Sequence, residues 1–170
     1  MGLEFLLGGA RSGKSALAVR RASEWGGPVV FIVTGEARDE EMAERIARHQ
    51  AARPPEWTTV EEPLDLGGAL ARAPEEAFVV LDCLTLWAAN ALEAGWSEAR
   101  VVQVAAEIAA ATAARSVPAV VVSNEVGLGL VPDTSLGRSF RDVLGRVNAV
   151  FAESAERACL VVAGRTLELG

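Results

Sequence analysis

The sequence predicts an α/β fold: a mostly parallel central sheet, helices on both faces, and an antiparallel strand at the C-terminal edge. Three observations carry this. Short apolar runs alternate with longer helical patterns along the whole chain. The runs FVVLD (78–82) and AVVVSNE (119–125) are continuously apolar until their polar ends, as in strands covered on both faces. The last two strand-like runs, CLVVA (159–163) and RTLEL (165–169), meet at Gly164, which predicts a tight antiparallel turn.

Taken in order, LEFLL (3–7) reads as a buried strand that runs into GGARSGKS (8–15) and then into a helix ending near Gly26-Gly27-Pro28. A second strand, 28–33, precedes an acidic-first helix from Asp39 to Gln50, stopped by Arg53-Pro54-Pro55. A short strand follows at 57–61, a helix near 65–73, the strand 78–82, and helices over about 84–94 and 98–115. The strand 119–125 opens into a glycine-containing loop, 126–135. A helix over 136–155 and the terminal strand pair complete the chain. No repeat, heptad run or low-complexity tract interrupts this order, and 170 residues suit one domain spanning 1–170.

Composition narrows the function classes. Hydrophobic residues make up 51% of the chain, yet the longest apolar runs are too short to cross a bilayer, so no membrane insertion is expected. The first strong motif begins almost at once with no basic segment before it, which predicts a cytoplasmic protein. A net charge of −7 with no basic stripe argues against nucleic acid as a partner and for a small ligand. Cys83 and Cys159 are too few for a disulfide framework or a zinc site, and both are expected to be buried thiols. Of the 16 basic residues only one, Lys14, is lysine, which makes its position informative because guanidinium does not replace a compact ammonium everywhere.

Lys14 falls in the run Gly8, Gly9, Ala10, Arg11, Ser12, Gly13, Lys14, Ser15, which matches G-x-x-x-x-G-K-[ST] between a strand and a helix. Glycines there let successive backbone N–H groups face phosphate oxygens. Lys14 reaches the β and γ phosphates, and the Ser15 hydroxyl ligates Mg²⁺ or a similar divalent cation. Asp82, at the end of its strand, either contacts that metal or caps the next helix. Glu125 lies on the same carboxyl edge, where it either orders a substrate hydroxyl or faces water.

His49, the only histidine, lies in the last turn of its helix. It either interacts with the helix C-terminus or serves as a nucleophile at phosphorus. Arg45, Arg48 and Arg53 crowd that turn; they attract phosphate and oppose protonation of an imidazole.

The segments GGARSGKS (8–15), DEEMAERIARHQAARPPEWTTVEEP (39–63), LDCLT (81–85), SNEVGLGLVP (123–132) and FRDVLGRVN (140–148) together closely resemble the bifunctional adenosylcobinamide kinase/adenosylcobinamide-phosphate guanylyltransferase family of cobalamin biosynthesis. The resemblance covers nearly the whole chain. It implies a RecA-like P-loop fold and two reactions. In the first, ATP or GTP phosphorylates the aminopropanol hydroxyl of adenosylcobinamide. In the second, GMP passes from GTP through a guanylylated histidine to the new phosphate, giving adenosyl-GDP-cobinamide. Carried over by position, the histidine falls on His49. The nucleotide contacts fall on Gly8 to Ser15, on Val33, Thr34 and Gly35, on Gln50, Ala51, Ala52 and Arg53, on Glu61, and on Asp82. Contacts at Gly35, Gln50, Ala51 and Ala52 would be largely through backbone or shape. The family also implies a homotrimer with sites near subunit boundaries, where Arg138, Arg141 and Arg146 either line a neighbour's site or form ordinary ion pairs. Two alternatives differ in class: a monofunctional P-loop small-molecule kinase, and a nucleotide-dependent RecA-like switch or assembly module.

Overall fold

The computed structural model describes residues 2–37, 39–51 and 53–170; the side chains of Glu41, Met42, Arg45, Arg48 and His49 lie outside the described atoms. The elements run β1 (Leu3–Gly8), α1 (Lys14–Ser23), β2 (Val29–Val33), α2 (Glu40–Ala51), β3 (Thr58–Glu61), α3 (Leu66–Arg72), β4 (Phe78–Asp82), α4 (Leu84–Glu93), α5 (Glu98–Ala113), β5 (Ala119–Asn124), α6 (Ser135–Ser154), β6 (Arg157–Val162) and β7 (Arg165–Glu168). Every expected element is present, with ends displaced by a residue or two where helices start at their caps. Asp65, Ser97 and Thr134 each accept a backbone N–H from the first turn of α3, α5 and α6, as short oxygen-bearing side chains do at helix starts.

The strands form one sheet in the order β3-β2-β4-β5-β1-β6-β7. All pairs are parallel except β6 with β7. Strand alternation divides the apolar side chains between two cores. Phe5, Ile32, Leu81 and Val121 face one side with Trp87, Ile108, Leu144 and Phe151 from α4, α5 and α6. Leu6, Phe31, Val80 and Val120 face the other with Leu17 and Ala18 from α1. The larger core is pinned by aromatic geometry: Phe5 stacks on Phe151 with centroids 6.0 Å apart, and Trp96 meets Trp87 edge-on at 6.4 Å. Trp87 is fully buried and donates Nε1–H to the Leu64 carbonyl at 3.0 Å, so its one polar atom is satisfied.

The topology places ligand-binding groups on one edge. β1, β2, β4 and β5 all end there, so the loop after β1, the residues after β2, Asp82 and the end of β5 meet. The strand bearing Asp82 is not the immediate neighbour of β1, because β5 is inserted between them. Among the described residues no helix is long and apolar enough to cross a membrane.

Trp87→Ala removes the largest wholly buried side chain and is expected to cost about 3–5 kcal/mol. The measurement is the urea midpoint at unchanged m-value; a loss under about 1 kcal/mol would mean that the core closes over the deletion.

Candidate nucleotide-binding site

The loop between β1 and α1 is set by close approaches that admit only glycine. A Cβ on Gly8 would lie 2.3 Å from the Val161 carbonyl oxygen of β6. Gly13, the N-cap of α1, has φ +102°, and a Cβ there would lie 3.2 Å from Gly164. The β6–β7 turn completes the brace, with Gly164 N–H donating to Ser12 O at 2.8 Å. The loop is therefore held from outside its own sequence by the C-terminal hairpin.

Lys14 opens α1 and turns back over the loop. Its Nζ donates to the carbonyls of Gly8 at 2.8 Å and Gly9 at 2.7 Å, and to Ser12 Oγ at 3.3 Å, with only 6% of the residue exposed. These contacts place the ammonium at the start of the loop.

A cavity of about 510 Å³ lies along this edge. The loop lines it from Ala10 to Ala16, joined by Val33 and Gly35 from β2 and the residues beyond it, by Asp82, and by Gln50 and Arg53 at the end of α2. The sequence reading anticipated all of these except Ala16. Five of its residues take other positions. Gly8 and Gly9 do not line the cavity, and their carbonyls accept from Lys14 Nζ. Thr34 is fully buried, and its hydroxyl donates to Cys83 O at 2.7 Å and accepts from Cys83 N at 3.0 Å, bracing the backbone after Asp82. Ala51 is exposed and does not line the cavity, nor does Glu61, which instead accepts Gln50 Nε2 at 3.4 Å. Ala52 lies outside the described residues. So does the side chain of His49, whose backbone belongs to α2, and those of Arg45 and Arg48.

Arg53 is the described guanidinium of the α2 end. It stacks 4.3 Å over the Phe31 ring, which stacks in turn on Trp57 at 5.6 Å, and it donates to Thr59 Oγ1 at 3.4 Å. Burial pulls its pKa down from the ordinary value, while the charge of Asp82 opposes that shift.

Ile46, Cys83, Leu86, Val122 and Asn124 also line the cavity, and sequence reasoning did not select them. One signal was available: on β5, Asn124 has the parity of Val122, whereas Glu125 has the opposite one. Glu125 turns back to accept Gly127 N–H. Cys159 is buried as expected, but Cys83 keeps part of its surface open at the cavity. Burial of its thiol, with Asp82 beside it, pushes the Cys83 pKa up. Arg138 donates to the carbonyls of Pro132 and Asp133, Arg141 pairs with Asp142 at 2.8 Å and Arg146 with Glu98 at 2.6 Å, so each has partners in its own chain.

Ser15 and Asp82 bring oxygen donors to the same cavity, and among the described residues no group of three or more metal-ligating side chains gathers. That donor set fits Mg²⁺ held mainly by nucleotide phosphates and water rather than by a protein cage.

Two outcomes check this geometry. Lys14→Arg cannot reproduce a compact ammonium over two carbonyls, and calorimetry should show GTP affinity reduced by about tenfold or more at unchanged circular dichroism; affinity within about twofold of wild type would contradict the assignment. Because the Cys83 pKa is raised, less thiolate exists at pH 8 than in an ordinary cysteine. Alkylation of native protein by iodoacetamide should therefore be slower than that of free cysteine at this pH, and a faster rate at Cys83 would refute it.

Known proteins resemble the chain along almost its whole length. A family model described as cobinamide kinase / cobinamide phosphate guanyltransferase matches residues 4–169. A protein of Pseudomonas aeruginosa, named bifunctional adenosylcobalamin biosynthesis protein CobP, is 42% identical, with 98% of this chain and 96% of that protein covered. The Salmonella typhimurium protein named bifunctional adenosylcobalamin biosynthesis protein CobU is 39% identical over 92% of this chain and 93% of its own length. Among solved structures, a KaiC-like protein of Pyrococcus horikoshii OT3 superposes with TM-score 0.55 at 14% identity, covering 94% of this chain and 70% of that one. A second solved structure, an ATPase domain, gives TM-score 0.52 at 13% identity, over 94% of this chain and 68% of that one. These two similarities establish a RecA-like P-loop fold, and with the sequence match over almost its entire length, the chain belongs to the cobinamide kinase / cobinamide phosphate guanyltransferase family.

Proposed function

We propose that the chain carries out both halves of the family's chemistry at this edge: phosphorylation of adenosylcobinamide by ATP or GTP, then transfer of GMP from GTP through His49. One observation carries the reading. The cavity lined by the phosphate loop is also lined by Ile46, Gln50 and Arg53, residues that flank His49 in sequence.

In the first reaction the loop N–H groups and the N-terminus of α1 bind the phosphates, and Lys14 offsets charge at the β and γ positions. The acceptor hydroxyl oxygen bonds to the γ-phosphorus as the bridge to the β-phosphate breaks; the nucleoside diphosphate leaves and the hydroxyl proton passes to solvent. Mg²⁺, held by Ser15, Asp82 and the nucleotide, would supply charge neutralisation on the phosphate oxygens. In the second reaction an imidazole nitrogen of His49 bonds to the α-phosphorus of GTP and pyrophosphate leaves. A phosphate oxygen of the acceptor then bonds to that phosphorus and the imidazole leaves. Arg53, with Arg45 and Arg48 on the preceding helix, supplies positive charge for both displacements and disfavours protonation of the nucleophile. We place the protein in the cytoplasm as a homotrimer; light scattering should give three chains per particle.

The decisive experiment uses GTP labelled at the α-phosphate. Wild type should acquire acid-labile, base-stable label, and His49→Ala should acquire none while still phosphorylating adenosylcobinamide. Wild type that is never labelled would remove the covalent step and leave a monofunctional kinase.

A further inference from the structure

Asn124 ends β5, the strand between the one that closes at Asp82 and the one that feeds the phosphate loop. It is aligned with Gly8, and the next residue, Glu125, donates its backbone N–H to Gly8 O at 3.1 Å. Its side chain lines the cavity, and among the described contacts its carboxamide has no hydrogen-bond partner.

Its main chain, in contrast, is held by side chains on both sides. Thr85 Oγ1, from the first turn of α4, accepts Asn124 N–H at 2.8 Å. Asn148 Nδ2, from α6, donates to Asn124 O at 3.1 Å. Asn148 is itself oriented by the wholly buried Ser123, whose hydroxyl donates to Asn148 Oδ1 at 2.6 Å. Thr85 and Asn148 are buried too, at 8% and 5% exposure. A buried polar network of this kind is favourable when its members are satisfied, and it holds the strand end that carries one open amide.

The geometry points to Asn124 as a residue that binds the terminal phosphoryl group of the nucleoside triphosphate, donating from Nδ2 to a γ-phosphate oxygen, with Thr85 and Asn148 as its positioning residues. The position along the phosphate chain follows from Lys14. Its ammonium rests at Gly8 and Gly9, the start of the loop, and a lysine in this motif addresses the β and γ phosphates. Asn124 lies at that same end, in register with Gly8 across β1 and β5. A carboxamide suits the task because it adds a donor without a charge, leaving the transferring group's negative charge to Lys14 and the cation.

The inference rests on the nucleotide reading above, and nucleotide affinity alone tests it. Calorimetry with GTP and GDP in the presence of Mg²⁺ should show that Asn124→Ala weakens GTP about tenfold while GDP stays within about twofold, because only the triphosphate offers the γ oxygens. Asn124→Asp, which puts charge against phosphate, should weaken GTP further. Thr85→Val removes the acceptor that holds Asn124 and should lower the GTP-to-GDP affinity ratio, whereas Thr85→Ser keeps the oxygen and should restore it. A merely structural network would lower both affinities together or neither. Equal loss of GTP and GDP in Asn124→Ala, or no loss of either, overturns the assignment. Wild type that fails to bind GTP would overturn the nucleotide reading itself.

Discussion

A buried ammonium must be solvated by the protein, and Lys14 is solvated by the backbone of its own loop. Two carbonyls and a hydroxyl surround it, and those carbonyls can converge only because the chain at Gly8 passes against β6 more closely than any side chain would allow. The central sheet, the position of β6 beside β1 and the turn of the C-terminal hairpin all serve this constraint. Remove any of them and the loop loses the surface on which it is shaped. The carbonyls of Gly8, Gly9 and Ser12 are all engaged, the first two by Lys14 and the third by Gly164 N–H.

The opposite lining of the cavity is anchored by different physics. Arg53 lies flat on Phe31, and Phe31 lies flat on Trp57, so the chain beyond α2 is fastened to β2 by stacked planes. Gln50 and Arg53 reach toward Glu61 and Thr59 of β3. A guanidinium held in this manner keeps its charge near the cavity with little loss of side-chain freedom on binding an anion. It also fixes the chain just beyond His49, which limits how far the end of α2 can depart from the sheet.

The order of elements was legible because buried parallel strands are continuous apolar runs and the helices between them are amphipathic. Gly8 to Ser15 and Asp82 were legible for a related reason: motif and strand-end position follow local rules. What depended on pairing was not. That β5 separates β4 from β1 is a property of crossovers, and no single segment encodes it. Thr34 illustrates the same limit, since its neighbours Val33 and Gly35 line the cavity while its own hydroxyl turns to Cys83. At the end of β5 the sequence reading singled out Glu125 and passed over its neighbour Asn124, although the parity of β5 turns Asn124 to the cavity.

The brace on the phosphate loop comes from residues translated long after it. A growing chain that has reached only Ala155 already contains β1, the complete glycine-rich motif and Lys14, yet it lacks Val161 and Gly164, against which the loop is moulded. Translation therefore separates the writing of the motif from the contacts that shape it. The loop gains its full set of contacts only once the β6–β7 hairpin lies beside the first strand.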